Sequence, residues 1–383
     1  MSDVVSAQPP ILVQKYGGSS VADLAKIQAV AERIRSAQAE GYRLVVVVSA
    51  MGNTTNELLA LAKGVSETPD RRELDMLISV GERITMSLLA MALKDIGVAA
   101  VSLTGSQSGI ITDEAHAGAQ IVEIRPQRIQ RHLQEGFVVI VAGFQGVSTA
   151  REVTTLGRGG SDVTAVALTA ALGAECCEIC SDVDGVWSAD PRTVDAAAQL
   201  TELPMDHALA IARGGARVLY EEAVRYARDH NIVVKATSTF GPGAGTRLTQ
   251  QPVKQRPPVC VTGSPHLVRV NAGDRPHATL RRVAQQGARL RYWLDSVLLL
   301  DTTNAHAAIA GSQPTAMVTA VASGLADDPH QMERGYAAAN QATSGQVRAS
   351  GAHGDVVWWE VPRASLEATV KAVHDAYADQ AET

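Results

Sequence analysis

Four short apolar runs constrain this chain more than anything else in it: ILVQK (11–15), RLVVVV (43–48), VVIVAGF (138–144) and CCEICSD (176–182). None alternates apolar with polar, so each needs cover on both faces, as strands of a parallel sheet do. Between them run helical patterns. VADLAKIQAVAERIRSAQ has apolar positions 21, 24, 27, 30 and 34, and SDVTAVALTAALG is apolar nearly all round. The order predicts an α/β three-layer sandwich with a mainly parallel sheet through about residue 248. DMLISVGERITMSLLAMALKDIG (75–97) reads as one long helix interrupted at Gly81-Glu82-Arg83.

Beyond residue 248 the style changes. QQPVKQRPP, within 249–258, is a polar, proline-containing linker. Residues 259–383 then read as a smaller α+β domain of short strands and two or three helices. QMERGYAAANQATSGQVRASGAHGD (331–355) has weak periodicity and many small residues, and is expected to be loop-rich. Residues 1–10 carry neither a basic run nor an apolar core, so they read as a flexible start rather than a signal peptide.

Several function classes are disfavoured by composition. The net charge is −6 and the 34 basic residues are scattered, which argues against a nucleic-acid protein. The longest apolar runs are strand-length, so no membrane span is expected. Cys177 and Cys180 have CxxC spacing without a second pair or a histidine, so ECCEICSD reads as a buried strand rather than a zinc site. Unpaired thiols suit a reducing cytoplasm. No GxGxxG follows a strand, which removes a nicotinamide-dinucleotide reading.

Glycine-rich loops recur where strands give way to helices, and such loops build ligand sites at the carboxyl ends of parallel strands. In QKYGGSS, Lys15 precedes Gly17, Gly18 and Ser19. Glycine amides there can cradle phosphate, and the lysine can neutralise charge on a phosphoryl group in transfer. The lysine precedes the glycines, so this is no Walker A loop. GRGGSD (157–162) places Arg158 ahead of a helix that Ser161 or Asp162 is expected to cap. Arg158 can grip a carboxylate with two parallel hydrogen bonds, and Asp162 can pair with an ammonium group. Glu82, in an otherwise apolar helix, is a second candidate for an ammonium, or else a partner of Arg83. SAMGNTTNE supplies Thr54 and Thr55 at a strand-to-helix turn. In SDVDGVWSADPR, Trp187 can stack on a base, carboxylates can bind ribose and Arg192 can reach phosphates. The stretch lacks the further acids of an EF-hand.

In this order the motifs resemble those of the aspartate kinases of the amino-acid kinase family. The matching stretches are KYGGSS, SAMGNTTNELL, GERI, VAGFQG, TTLGRGGSD, SDVDGVWSADPR and TSTFGPGAGT, spread over residues 11 to about 248. The resemblance implies the amino-acid kinase fold and transfer of the ATP γ-phosphoryl to the side-chain carboxylate of L-aspartate, with Mg²⁺ accompanying ATP. It implies that Lys15, Arg158 and Asp162 are catalytic. Thr55, Glu82, Phe144, Arg158, Ser161 and Asp162 would bind aspartate. Lys15, Gly17, Gly18, Ser19, Ser181, Asp182, Trp187, Arg192 and Arg217 would bind the nucleotide. It also implies a cytoplasmic homo-oligomer paired through ACT-type modules.

The sequence departs from the family in three places. Trp187 stands where tyrosine is usual, Glu221-Glu222 reverses a local charge, and Thr237 replaces a common arginine. VTGSPHLVRV and VVWWEVPRASLEATVKAVHDAY resemble the start and end of a tandem ACT region, but the effector loops between them are hard to find, with GDRP (273–276) as a remnant. Lost or altered feedback by lysine or threonine is therefore expected, as in an isozyme feeding a specialised pathway. A kinase for a related amino acid and a non-catalytic subunit are the alternatives. The presence together of Lys15, Arg158 and Asp162 argues against the second.

Overall fold

The computed structural model describes residues 9–216, 218–251, 259–303, 305 and 308–378. They form two compact units. The first holds 9–186 with Val218–Gln250, and the second holds 187–216 with the residues from 251 onward. The first unit ends at Gln250, and 187–216 groups with the C-terminal half. The proposed flexible start (1–8) and most of the linker (252–258) lie outside the described residues.

In the first unit the strands lie side by side in the order Thr246–Thr249, Val234–Ser238, Cys176–Ser181, Ile11–Tyr16, Arg43–Val48, Val138–Ala142 and Ala100–Leu103. All neighbours are parallel except the 234–238/246–249 hairpin. One face packs on the helices Leu24–Ala39 and Val80–Asp95 through Leu12, Tyr16, Leu44, Val46, Ile27, Ile34 and Leu89. Alternation then turns Val13 and Lys15 to the other face. There lies Gly160–Leu172, a helix buried along nearly its whole length, as its all-round apolar sequence requires. A four-stranded sheet, ordered Ile121–Ile124, Ile110–Thr112, Gln145–Ser148 and Val153–Thr155, completes the unit.

The long helix expected over 75–97 is two helices, Arg71–Ile78 and Val80–Asp95, joined at Ser79. Asp70 caps the first by accepting from Arg72 N and Glu73 N. Gly81 and Glu82 therefore sit in the first turn of the second helix rather than in a gap. By length and composition alone, Arg71–Asp95 taken together is enough to cross a membrane, an 18-residue window in it having mean hydropathy 1.5, which corrects the expectation that no segment is. Half of that window is buried inside the unit, as in a core helix.

The second unit carries an antiparallel sheet ordered Arg289–Leu294, Val297–Asp301, Cys260–Asn271, Ser312–Val321, Val356–Val361 and Ala349–His353. The order of elements is strand, helix, strand, strand, given twice: once with the helix Pro276–Gln285, once with Pro329–Ala342. The two copies are mirrored about the central 260–271/312–321 pair.

Pro329–Ala342 contradicts the loop-rich expectation for 331–355. Asp328 caps it by accepting from His330 N and Gln331 N, and Pro329 starts it. Its buried positions are Gly335 and Ala339, so it packs through small residues that leave little apolar periodicity. A Cβ on Gly335 would lie 2.8 Å from Trp359 Cζ2 and would also strike the Tyr377 hydroxyl. Gly335→Ala is expected to cost about 1–3 kcal/mol by overpacking, read as a lower urea midpoint. An unchanged midpoint would mean that this contact is not tight.

Candidate active site

Three neighbouring parallel strands end at Tyr16, Val48 and Ala142, and their following loops meet. Ser49 N donates to Tyr16 O (3.1 Å), Gly52 N to Gly18 O (3.1 Å) and Gly143 N to Val48 O (3.0 Å). The glycines permit this approach. A Cβ on Gly18 would stand 2.9 Å from Ala50 O, and one on Gly143 would stand 2.8 Å from Ser161 Oγ. Gly17 N also donates to Cys180 O (3.3 Å), and Ser20 Oγ lies 2.6 Å from Thr239 Oγ1. The loop is thus tied to the ends of the two strands on its other side.

Lys15 comes from inside the buried strand Ile11–Tyr16. Its Nζ lies 2.6 Å from Asp162 Oδ1, with the two side chains 11% and 3% exposed. A Cβ on Gly17 would be 3.4 Å from that ammonium, so the charge sits directly beneath the glycine loop. The helix Gly160–Leu172 starts there as well. Its N-cap is Gly159, with φ +73° and no capping side chain, rather than Ser161 or Asp162. Those two residues lie in the first turn, both buried. Gly160 N already donates to Gly157 O (3.0 Å) and Asp162 N to Gly159 O (2.9 Å), so among the described residues Ser161 N is the first-turn amide left to an anion.

Gly159 cannot carry a side chain. A Cβ would run into the Tyr220 ring, and the left-handed φ is costly for any other residue. Gly159→Ala is expected to weaken substrate binding at least as much as it lowers stability, measured by KM beside thermal unfolding. An unaltered KM would remove the turn from the site.

Glu82 faces the same loop cluster from the helix Val80–Asp95. It is 3% exposed, and its Oε1 accepts from Ala50 N at 3.1 Å. Its Oε2 is buried without a partner. Burial pushes its carboxyl up to about 7, against the lowering effect of its backbone hydrogen bonds. The helix is held close because a Cβ on Gly81 would be 2.6 Å from Ala50 Cβ and 3.6 Å from Thr54 Cγ2. Thr55 follows in the first turn of Thr54–Val65. Phe144, at φ +68°, donates its N–H to Thr164 Oγ1 (3.2 Å) and borders Gly160. Arg158 is exposed, with no carboxylate paired to it among the described residues.

The structure therefore brings together Lys15, Gly17, Gly18, Ser161, Asp162, Glu82 and Phe144, with Thr55 and Arg158 on the adjoining turns. Ser19 is exposed at the rim, and its carbonyl accepts from Lys26 Nζ (2.9 Å). Ser181 and Asp182 stand at the end of the neighbouring strand. Ser181 O accepts from Thr239 N at 2.7 Å, and Asp182 is exposed. Trp187 and Arg192 fall in the second unit, where Arg192 binds Asp190 through two nitrogens at 3.0 and 2.8 Å. Arg217 lies outside the described residues. CCEICSD forms the strand Cys176–Ser181, and burial pushes the Cys176 and Cys180 thiols up to about 12. The reading of the sequence missed Ala50 N, Thr164 and the Ser20–Thr239 link. These act through backbone contacts or over long separations, and only GERI beside SAMG hinted at one of them.

The amino acid kinase family model matches residues 10–236. The chain is 54% identical over 237 residues to the aspartokinase of Mycobacterium tuberculosis, covering 62% of this chain and 56% of the relative. It is 50% identical over 241 residues to that of Geobacillus stearothermophilus, covering 63% and 59%. These matches thus span rather more than half the length of each curated relative. Among solved structures, aspartate kinase from Synechocystis is 31% identical with a TM-score of 0.58, covering 96% of this chain and 69% of that one. E. coli aspartokinase III, solved with aspartate and ADP, is 23% identical with a TM-score of 0.82, covering 96% and 99%, and shares the fold. With more than half of its residues matched by that model, the chain belongs to the amino acid kinase family.

Proposed function

We propose that this protein transfers the γ-phosphoryl group of ATP to the side-chain carboxylate of L-aspartate, giving 4-phospho-L-aspartate and ADP. The observation that carries the proposal is the pairing of opposite demands in one cluster. A buried ammonium, Lys15, stands beneath a glycine loop with Asp162 at 2.6 Å as its resting partner, and a buried carboxylate, Glu82, has an oxygen with no partner. An α-amino acid and a phosphate answer both demands, and a nucleoside monophosphate answers only one. The curated relatives named aspartokinase support the choice of acid.

In this reading Arg158 grips the α-carboxylate, and Glu82 takes the ammonium with Thr55, Phe144 and Ser161 around the substrate. A side-chain carboxylate oxygen attacks phosphorus as the bond to the ADP oxygen breaks. The carboxylate is already ionised at neutral pH, so no general base is needed. Lys15 and the amides of Gly17 and Gly18 stabilise the charge that spreads over the phosphoryl oxygens. Asp162 holds the lysine in place before the nucleotide arrives. Mg²⁺ accompanying ATP would neutralise β- and γ-phosphate charge.

The test is ADP release with Mg-ATP and L-aspartate, beside D-aspartate, L-glutamate and UMP. L-aspartate is expected to dominate, and preference for another acceptor would reassign the substrate. We further propose altered feedback. Lysine plus threonine should leave the rate unchanged, and strong inhibition would discard that part. Homo-oligomer formation through the second unit is proposed as well, to be read by sedimentation.

A further inference from the structure

Arg158 stands between Gly157 and Gly159, with φ +76° and +73°. A guanidinium on such a hinge gives little binding energy unless the hinge is held from outside. Tyr220 backs Gly159 on one side. On the other side the restraint comes from Asp75, a fully buried acid that the proposed reaction does not use.

Asp75 lies on the helix Arg71–Ile78. Thr155 Oγ1 donates to its Oδ1 at 2.5 Å. Ala117 N donates to both oxygens, at 3.2 and 3.1 Å, and His116 Nδ1 lies 2.8 Å from Oδ2. Thr155 is two residues before the hinge, and its carbonyl accepts from Ala119 N at 2.9 Å. The 116–119 loop is thus fastened to the strand that leads into GRGGSD. It also touches the hinge, because a Cβ on Gly157 would be 3.7 Å from Gly118 Cα. Ala117 itself has φ +63°, a conformation that needs outside support. A buried carboxylate is tolerated only where donors satisfy it, and each donor here belongs to a segment that borders the hinge.

We propose that Asp75 is a positioning residue for the acceptor substrate. It fixes the turn that presents Arg158, and so it sets affinity for the substrate's α-carboxylate without touching it. The proposal rests on the reading of Arg158 given above. Asp75→Asn would turn an amide NH₂ toward the donors and loosen the turn. Thr155→Val removes one donor with little change of shape, and Thr155→Ser keeps it.

For Asp75→Asn and Thr155→Val the KM for aspartate is expected to rise about tenfold or more, with the KM for ATP within about twofold. Thr155→Ser should remain near wild type. In an Arg158→Ala background, Asp75→Asn should add almost nothing. Partial unfolding alone would lower apparent kcat and leave both KM values in place, and that pattern would overturn the proposal. Hydrogen exchange of residues 156–162 supplies a readout free of any assumption about substrate. It should quicken in Asp75→Asn at unchanged global stability, and unchanged exchange there would also overturn the proposal. If wild-type protein ignores aspartate, the functional reading falls while exchange still decides the role of Asp75. If Asp75→Asn does not fold, Thr155→Val decides it.

Discussion

Lys15→Ala is expected to lower the rate of phosphoryl transfer by about 10²–10³-fold or more, the loss typical when one pre-organised charge-stabilising group is removed. The lysine belongs to a strand buried along its whole length, paired on both sides, with Lys15 opposite Val47 and Ile179. Its ammonium therefore needs no reorganisation as charge develops. The same substitution strands Asp162, which is 2% exposed, without its cation. Breaking a buried pair costs about 3–5 kcal/mol, so the variant should also melt at a lower temperature. The double variant Lys15→Ala/Asp162→Ala separates the two effects. It should regain part of the stability and none of the activity. Single-turnover rates beside thermal unfolding check this, and a Lys15→Ala enzyme that keeps its rate would remove the lysine from the chemistry.

Glu82→Gln should raise the KM for aspartate roughly 10- to 100-fold, since it replaces a charge-assisted contact worth about 1.5–3 kcal/mol by a neutral one. The pH behaviour is more diagnostic. Burial lifts the folded-state carboxyl from the ordinary 4.5 to about 7. The folded protein therefore holds a proton there that the unfolded chain has already lost. The stability from this group is fully present below about pH 4.5 and is lost as pH rises through about 7. An ammonium prefers the ionised form, so affinity for the amino acid should grow over the same range and binding should release a proton. Calorimetry in two buffers of different ionisation enthalpy measures that release. Glu82→Gln should abolish it and flatten the stability slope, and a wild-type enzyme that binds aspartate without proton release would contradict the assignment.

Much of the fold was legible because parallel strands covered on both faces must be continuously apolar, and ILVQK, RLVVVV and VVIVAGF are. The loops were legible for a related reason: KYGG, GRGG and VAGF mark places where a Cβ has no room, against Ala50 O at Gly18, the Tyr220 ring at Gly159 and Ser161 Oγ at Gly143. What escaped was whatever depends on partners far away in sequence. Gly335 and Ala339 make a helix face only against Trp359 and Tyr377, so their segment looked like loop. The cap of Gly160–Leu172 looked like Ser161 or Asp162 because both are good cap residues, but their side chains turn inward and Gly159 takes the position. Asp75 drew no reading from the sequence, and only the 116–119 loop and Thr155 reveal its buried role.

The most direct test of the account is to incubate the purified protein with Mg-ATP, L-aspartate and hydroxylamine and to identify the trapped product. Aspartate β-hydroxamate forming in step with ADP, and absent with Lys15→Ala, is the result expected here. ADP released without hydroxamate, or hydroxamate at the α-carboxyl, would contradict the claim that the side-chain carboxylate is the acceptor.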